Sequence, residues 1–126
     1  MKLLIIGGGV YVKGSDYNEN GTIIPSVLES IRENLIDQVG FVTTSNKSVD
    51  ECLKKSKKLS KFLNIKLKSK TFLKFESKSK DSYLKALNKF KPDATIVATP
   101  DHTHYKICKD VIFSNSNLLV VKPLSD

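Results

Sequence analysis

The chain has 126 residues, 40% of them apolar and 27% charged, the composition of one soluble domain large enough to bury a core. No run approaches the roughly 18 consecutive apolar residues that span a bilayer, and MKLLIIGGG carries too short an apolar stretch for a secretory signal, so a cytoplasmic protein is expected and a membrane partner is not. The net charge of +8 is local, because eleven lysines and one acid, Glu76, lie between Lys54 and Lys80.

In chain order, Leu3 to Ile6 is a short continuous apolar run ending in three glycines, the pattern of a strand buried on both faces. After a loop of some fifteen residues, Ile24, Val27, Leu28, Ile31 and Leu35 recur at helical spacing. Val39, Phe41 and Val42 predict a second strand, stopped by TTSNKS. Val49, Cys52, Leu53, Ser56, Leu59 and Leu63 mark a second amphipathic helix with lysines on its other face. From Ile65 to Phe75 the pattern has period two, with lysine at most even positions. That predicts one or two strands with a wet face, at a protected sheet edge. Tyr83, Leu84, Leu87 and Phe90 form a third helical stripe, and Ala94 to Ala98 a buried strand. Ile107, Cys108, Val111 and Ile112 give a fourth helix, and Leu118 to Val121 a last buried strand.

Strand–helix repeated four times and closed by a fifth strand predicts a Rossmann-type doubly wound α/β domain, with a mainly parallel sheet between helices. Lysine without arginine (Arg32 is the sole one) suits solvated helix faces and guarded edges better than nucleic acid. Hydrophobic spacing also accounts for Phe62, Phe72 and Phe75 without bases to stack on. Cys52 and Cys108 read as two buried thiols. Two histidines close together, His102 and His104, assemble no zinc set, so no metal is expected.

In such a sheet, ligands sit beyond the carboxyl ends of the strands. Gly7 and Gly9 fit the first two glycines of a dinucleotide fingerprint, with Val10 following, but Val12 stands where the third glycine belongs. After the second strand come Thr43, Thr44, Ser45, Asn46 and Lys47, with no acid before Asp50. Hydroxyl and amide donors beside a cation suit a 2′-phosphate better than a bare ribose diol, which leans the cofactor from NAD toward NADP. An ordinary polar loop capping the second helix through Ser48 is the alternative.

The run PDATIVATPDHTHYKICKDVIFSNSNLLVVKP, Pro92 to Pro123, resembles the Gfo/Idh/MocA oxidoreductases, which read D-x-V-x-I-A-T-P-x-x-x-H after the fourth strand and E-K-P after the fifth. Asp93, Ala98, Thr99, Pro100, His104, Lys122 and Pro123 stand at the matching positions, and the glycine loop and IPSVL at residues 24–28 agree. The resemblance implies that Thr99, Pro100 and Pro123 line the dinucleotide site and that Lys122 acts on the substrate oxygen. His104 either faces the nicotinamide pocket or forms a hydrogen bond within the first turn of its helix. Val121 replaces the family's glutamate.

The resemblance also implies a second, C-terminal α/β domain that supplies most of the pocket for a sugar-like substrate. The sequence stops at Asp126, so the expectation is the cofactor-binding half of an NAD(P)-dependent oxidoreductase of sugars or polyols, binding dinucleotide without turnover by itself. A homo-oligomer is left open. The rival readings are a non-catalytic dinucleotide sensor or scaffold and, more distantly, a basic module for nucleic acid.

Overall fold

The computed structural model describes residues 1–9, 12 and 21–120, apart from the side chain of Asp101. Val10, Val121, Lys122 and Pro123 lie outside the described residues. Strand β1 (Lys2–Ile6) leads through the glycine loop to helix α1 (Ile23–Arg32), then β2 (Gln38–Val42) and α2 (Asn46–Phe62). The order continues with β3 (Phe72–Lys74), α3 (Ser82–Phe90), β4 (Ala94–Val97), α4 (Asp101–Phe113) and β5 (Asn117–Val120). All neighbours in the sheet are parallel, in the order β3-β2-β1-β4-β5. The chain therefore winds outward from β1 to β3, then returns past β1 and winds the other way. This is the predicted Rossmann-type topology.

Period-two alternation in β1 builds the two layers. Leu3 and Ile5 pack with Ile24 and Leu28 of α1, Val49 and Cys52 of α2, and Val39 and Phe41 of β2. Leu4 and Ile6 point to the opposite face, against Tyr83 and Leu87 of α3 and Ile107 and Val111 of α4. A strand covered on both faces cannot tolerate polar side chains on either, which explains the unbroken apolar run. The register aligns Ile6 with Val42 and with Val97, and Val97 with Val120, so the four strand tips end in one row. That row is the crest on which a ligand would sit.

Several sequence expectations are corrected. Helix α1 stops at Arg32 because Asn34 turns left-handed (φ 62°), which leaves Leu35 outside the helix and 62% exposed. Of Ile65–Phe75 only Phe72–Lys74 is a strand. The preceding residues close a turn in which Thr71 N–H donates to the Lys68 carbonyl (3.1 Å) and Lys68 N–H to Thr71 Oγ1 (3.0 Å). Local hydrogen bonds thus take up backbone that alternation alone assigned to a sheet. Phe62 is exposed, whereas the Phe72 ring packs on Phe41 and the Phe75 ring on Phe90. The buried stripe of α3 is Tyr83, Ala86, Leu87 and Phe90, with Leu84 turned outward, and Ile112 of α4 is exposed. Strand β5 is a sheet edge rather than a buried strand, and Leu119 is 62% exposed, because α1 and α2 cover the other half of that face. Cys108 is only partly buried, while Cys52 is fully so, and neither is in a disulfide.

Candidate cofactor cleft

The crest is stitched across three strands. Gly7 N–H donates to the Val42 carbonyl (2.9 Å) and Ala98 N–H to the Ile6 carbonyl (2.8 Å). Gly7 itself has φ +116°, and a Cβ there would stand 2.2 Å from the Ala98 carbonyl oxygen. A residue with a side chain fits neither the dihedral nor the space. At Gly8 a Cβ would meet Ser48 Oγ at 2.5 Å and Thr43 Cγ2 at 2.8 Å, so the loop lies directly on the first turn of α2. Gly9 differs from both. It is exposed, and among the described residues nothing lies within 4 Å of an added Cβ. Its missing side chain serves no contact with the described residues and leaves space over the backbone on that side, as a phosphate-bearing ligand requires. Val12, at the position of the absent third glycine, is fully buried among Ile24 and Leu28, and its N–H donates to the Gly9 carbonyl (3.0 Å).

The polar turn after β2 is largely committed to its own architecture. Thr43 N–H donates to Ser77 Oγ (2.9 Å), and Thr43 Oγ1 donates to the Ser45 carbonyl (2.7 Å). Ser45, extended at φ −146°, caps α2 by accepting from Ser48 N–H at 3.2 Å, so the cap is Ser45 rather than Ser48. Asn46 Oδ1 accepts from Ser77 N–H (3.0 Å). Asp50 is drawn away to Lys74 (2.8 Å). After β4, Pro100 caps α4 in an extended conformation and its carbonyl accepts from Thr103 N–H (2.9 Å). The Thr103 hydroxyl lies 2.8 Å from Thr99 Oγ1 and 2.7 Å from the same carbonyl, which fixes the Thr-Pro turn.

These turns enclose a cleft of about 770 Å³ over the crest, within the usual size of small-molecule sites. Gly7, Gly9, Thr43, Thr44, Thr99 and Pro100 line it, as does Gly8. Ser45 and Lys47 are not on its lining; Lys47 is exposed elsewhere. His104 is buried in a separate groove between α4 and β5, with Tyr105, Cys108 and Val120, while His102 is on the cleft rim.

One wall went unforeseen from sequence: Lys80 and Asp81 before α3, Tyr83 within it, and Lys106 on α4. Tyr83 O–H donates to Asp110 Oδ2 (2.5 Å), and Lys106 Nζ donates to Tyr83 OH (3.0 Å) and Asp110 (3.3 Å). Burial first, then the Asp110 contact, pushes the Tyr83 phenol above its ordinary value. The hydrogen bond from Tyr83, helped by Lys106, holds the Asp110 carboxyl below its own. Contacts to Tyr83 and then Asp110 raise Lys106, so its ammonium stays charged. The helical stripe around Tyr83 was the available signal, but periodicity reports burial and cannot tell that a tyrosine hydroxyl meets the next helix.

The family model of the Gfo/Idh/MocA oxidoreductases, described as an oxidoreductase family, NAD-binding Rossmann fold, matches residues 1–126. The chain belongs to this family. A search of curated proteins finds no match. As a Gfo/Idh/MocA domain, the chain is an NAD-binding Rossmann unit of an oxidoreductase family, and the open space at Gly9 and the crest cleft fit that group. No helix among the described residues is long and apolar enough to cross a membrane.

Proposed function

We propose that this Gfo/Idh/MocA domain holds NAD(P), with NADP the preferred form, for an oxidoreductase acting on a sugar, polyol or related hydroxyl compound. The single observation that carries the cofactor reading is the convergence of Gly7–Gly9 and Ala98–Pro100 on one cleft, open at Gly9. The glycine loop would receive the pyrophosphate on backbone N–H groups, and the Thr99–Pro100 turn would pack along the dinucleotide. When bound, the nicotinamide ring supplies hydride acceptance or donation.

Lys122 is the residue we assign to the substrate oxygen. A lysine partly withdrawn from water there would orient the carbinol and share its proton. The end of β5 at Val120, in register with Val97 on the crest, supports that assignment. A C-terminal domain would supply the rest of the substrate pocket, and the 126-residue chain by itself would bind cofactor without turnover, since half a site cannot position donor and acceptor. Titration with NADPH and NADH, followed by nicotinamide fluorescence, tests the cofactor reading. Saturable binding that is lost in Gly9→Ala is expected, and no binding at millimolar cofactor would refute it.

Val121, at the position of the glutamate in the E-K-P pattern that the chain resembles, favours a second reading: a dinucleotide sensor or scaffold without catalysis. Cofactor binding with no oxidation of any polyol, in the protein joined to its substrate domain, would select it. Turnover that falls in Lys122→Ala would exclude it.

A further inference from the structure

The dinucleotide reading leaves open which groups distinguish a phosphorylated adenosine ribose from a bare diol. The turn after β2 is a weak source of them. Thr43, Ser45 and Asn46 spend their side-chain oxygens on Ser45, Ser48 and Ser77, and Lys47 is not on the cleft lining. Among the described residues, the charged side chains that line the cleft are Lys80, Asp81 and Lys106.

Their segment is tied to the β2 turn. Ser77 bonds Thr43 N–H through its hydroxyl and Asn46 Oδ1 through its N–H, at 2.9 and 3.0 Å. Three residues on, Lys80 enters the cleft, with Ser82 Oγ holding the intervening backbone by accepting from Lys78 N–H (2.8 Å) and Ser79 N–H (3.1 Å). A ribose lying over Thr44 and Ser48 would therefore be near the lead-in to α3. Across the wall, Lys106 has a phenol as its nearest partner. Its two carboxylates are more distant, Asp110 at 3.3 Å and Asp81 at 3.9 Å, against 2.8 Å for the Lys74–Asp50 pair. Asp110 is already engaged by Tyr83. The described lining thus presents two ammonium groups and one carboxylate to a ligand.

Building on the cofactor reading above, we propose that Lys80 and Lys106, rather than Lys47, hold the phosphate on the adenosine ribose, so that this wall selects NADP over NAD. Asp81 opposes that phosphate and limits the preference. Two long cations, Lys80 in the loop before α3 and Lys106 on α4, can close on a dianion together, which one lysine on the α2 turn cannot do.

The test uses adenosine 2′,5′-bisphosphate and adenosine 5′-monophosphate as calorimetric probes, with circular dichroism of each variant as the check on folding. Wild type should bind the bisphosphate about tenfold more tightly, the scale of two partly exposed charge contacts. Lys80→Ala and Lys106→Met should each weaken it about fivefold and leave the monophosphate within about twofold. Asp81→Asn should tighten the bisphosphate, and Lys47→Ala should change neither probe. Equal affinity of wild type for both probes overturns this assignment alone. So does a loss confined to Lys47→Ala. Failure of wild type to bind either probe, or NADP and NAD themselves, overturns the dinucleotide reading and this assignment with it.

Discussion

Gly7→Ala and Gly9→Ala remove the same hydrogen from neighbouring positions and should have opposite consequences. At Gly7 the methyl group would stand 2.2 Å from the Ala98 carbonyl oxygen on a backbone with φ +116°. The dihedral alone costs about 1–3 kcal/mol for a residue with a Cβ. Relieving the contact needs a backbone shift on the order of 1 Å, since ordinary van der Waals contact begins near 3.4 Å. A shift of that size breaks one of the crest hydrogen bonds, Gly7 N–H to Val42 or Ala98 N–H to Ile6, for about 1 kcal/mol more. The sum is about 2–4 kcal/mol, or a fall in Tm of roughly 8–16 °C for a domain of this size. At Gly9 the methyl group meets none of the described residues, so stability should stay within about 0.5 kcal/mol of wild type while dinucleotide binding is lost. Thermal unfolding by circular dichroism and NADPH titration read the two effects separately. A Gly7→Ala protein melting within 2 °C (about 0.5 kcal/mol) of wild type would refute the steric argument. Undiminished cofactor affinity in Gly9→Ala would refute the assignment of its open space to a ligand.

Leu28→Ala should cost about 2–5 kcal/mol in denaturant unfolding, because the side chain is fully buried, whereas exposed Leu35→Ala should cost under about 0.5. Equal effects would contradict the placement of the α1 terminus. Tyr83→Phe should destabilise by about 1 kcal/mol at neutral pH by removing the hydrogen bond to Asp110. The Asp110 carboxyl is held below its ordinary 3.8 in the folded protein, so its contribution is present above that pH and fades as pH falls through the lower folded value. The gap between Tyr83→Phe and wild type should therefore narrow in acid, and a gap that widens there would show that Asp110 is not the partner that matters. The lysines between Lys54 and Lys80 should give no duplex DNA retardation in a gel at about 150 mM salt, where a reader making several phosphate contacts would still bind. Retention there would revive the nucleic-acid reading.

Much of the cleft was legible because its parts are local. Three glycines after an apolar run mark a close turn, and a Thr-Pro pair after Val97 marks another. The fingerprint expects one glycine for the tight turn and one for close backbone approach to a pyrophosphate; Gly7 is compelled by the Ala98 carbonyl, whereas no described residue lies within 4 Å of a Cβ at Gly9. Of the β2 turn, Thr43 and Thr44 line the cleft, as their chemistry suggested, while Ser45 and Lys47 are not on its lining. Thr43, Ser45 and Asn46 have the chemistry of ligand donors, but Thr43 Oγ1 donates to the Ser45 carbonyl, Ser45 Oγ accepts from Ser48 N–H, and Asn46 Oδ1 accepts from the N–H of Ser77 on a distant segment. His104 sits at the family position, yet the rotation of α4 turns it toward β5 and puts Lys106 on the cleft.

Alternation of buried strands with amphipathic helices, and hence the parallel doubly wound sheet, was determined by the sequence alone. That pattern is written in neighbouring residues, and a chain with both faces of β1 apolar has few other ways to bury them. Which polar side chains remain for a ligand was decided only by the tertiary structure. Helix rotation and contacts between β3, α3 and α4 settle which donors are used internally, and those distances appear in no local spacing.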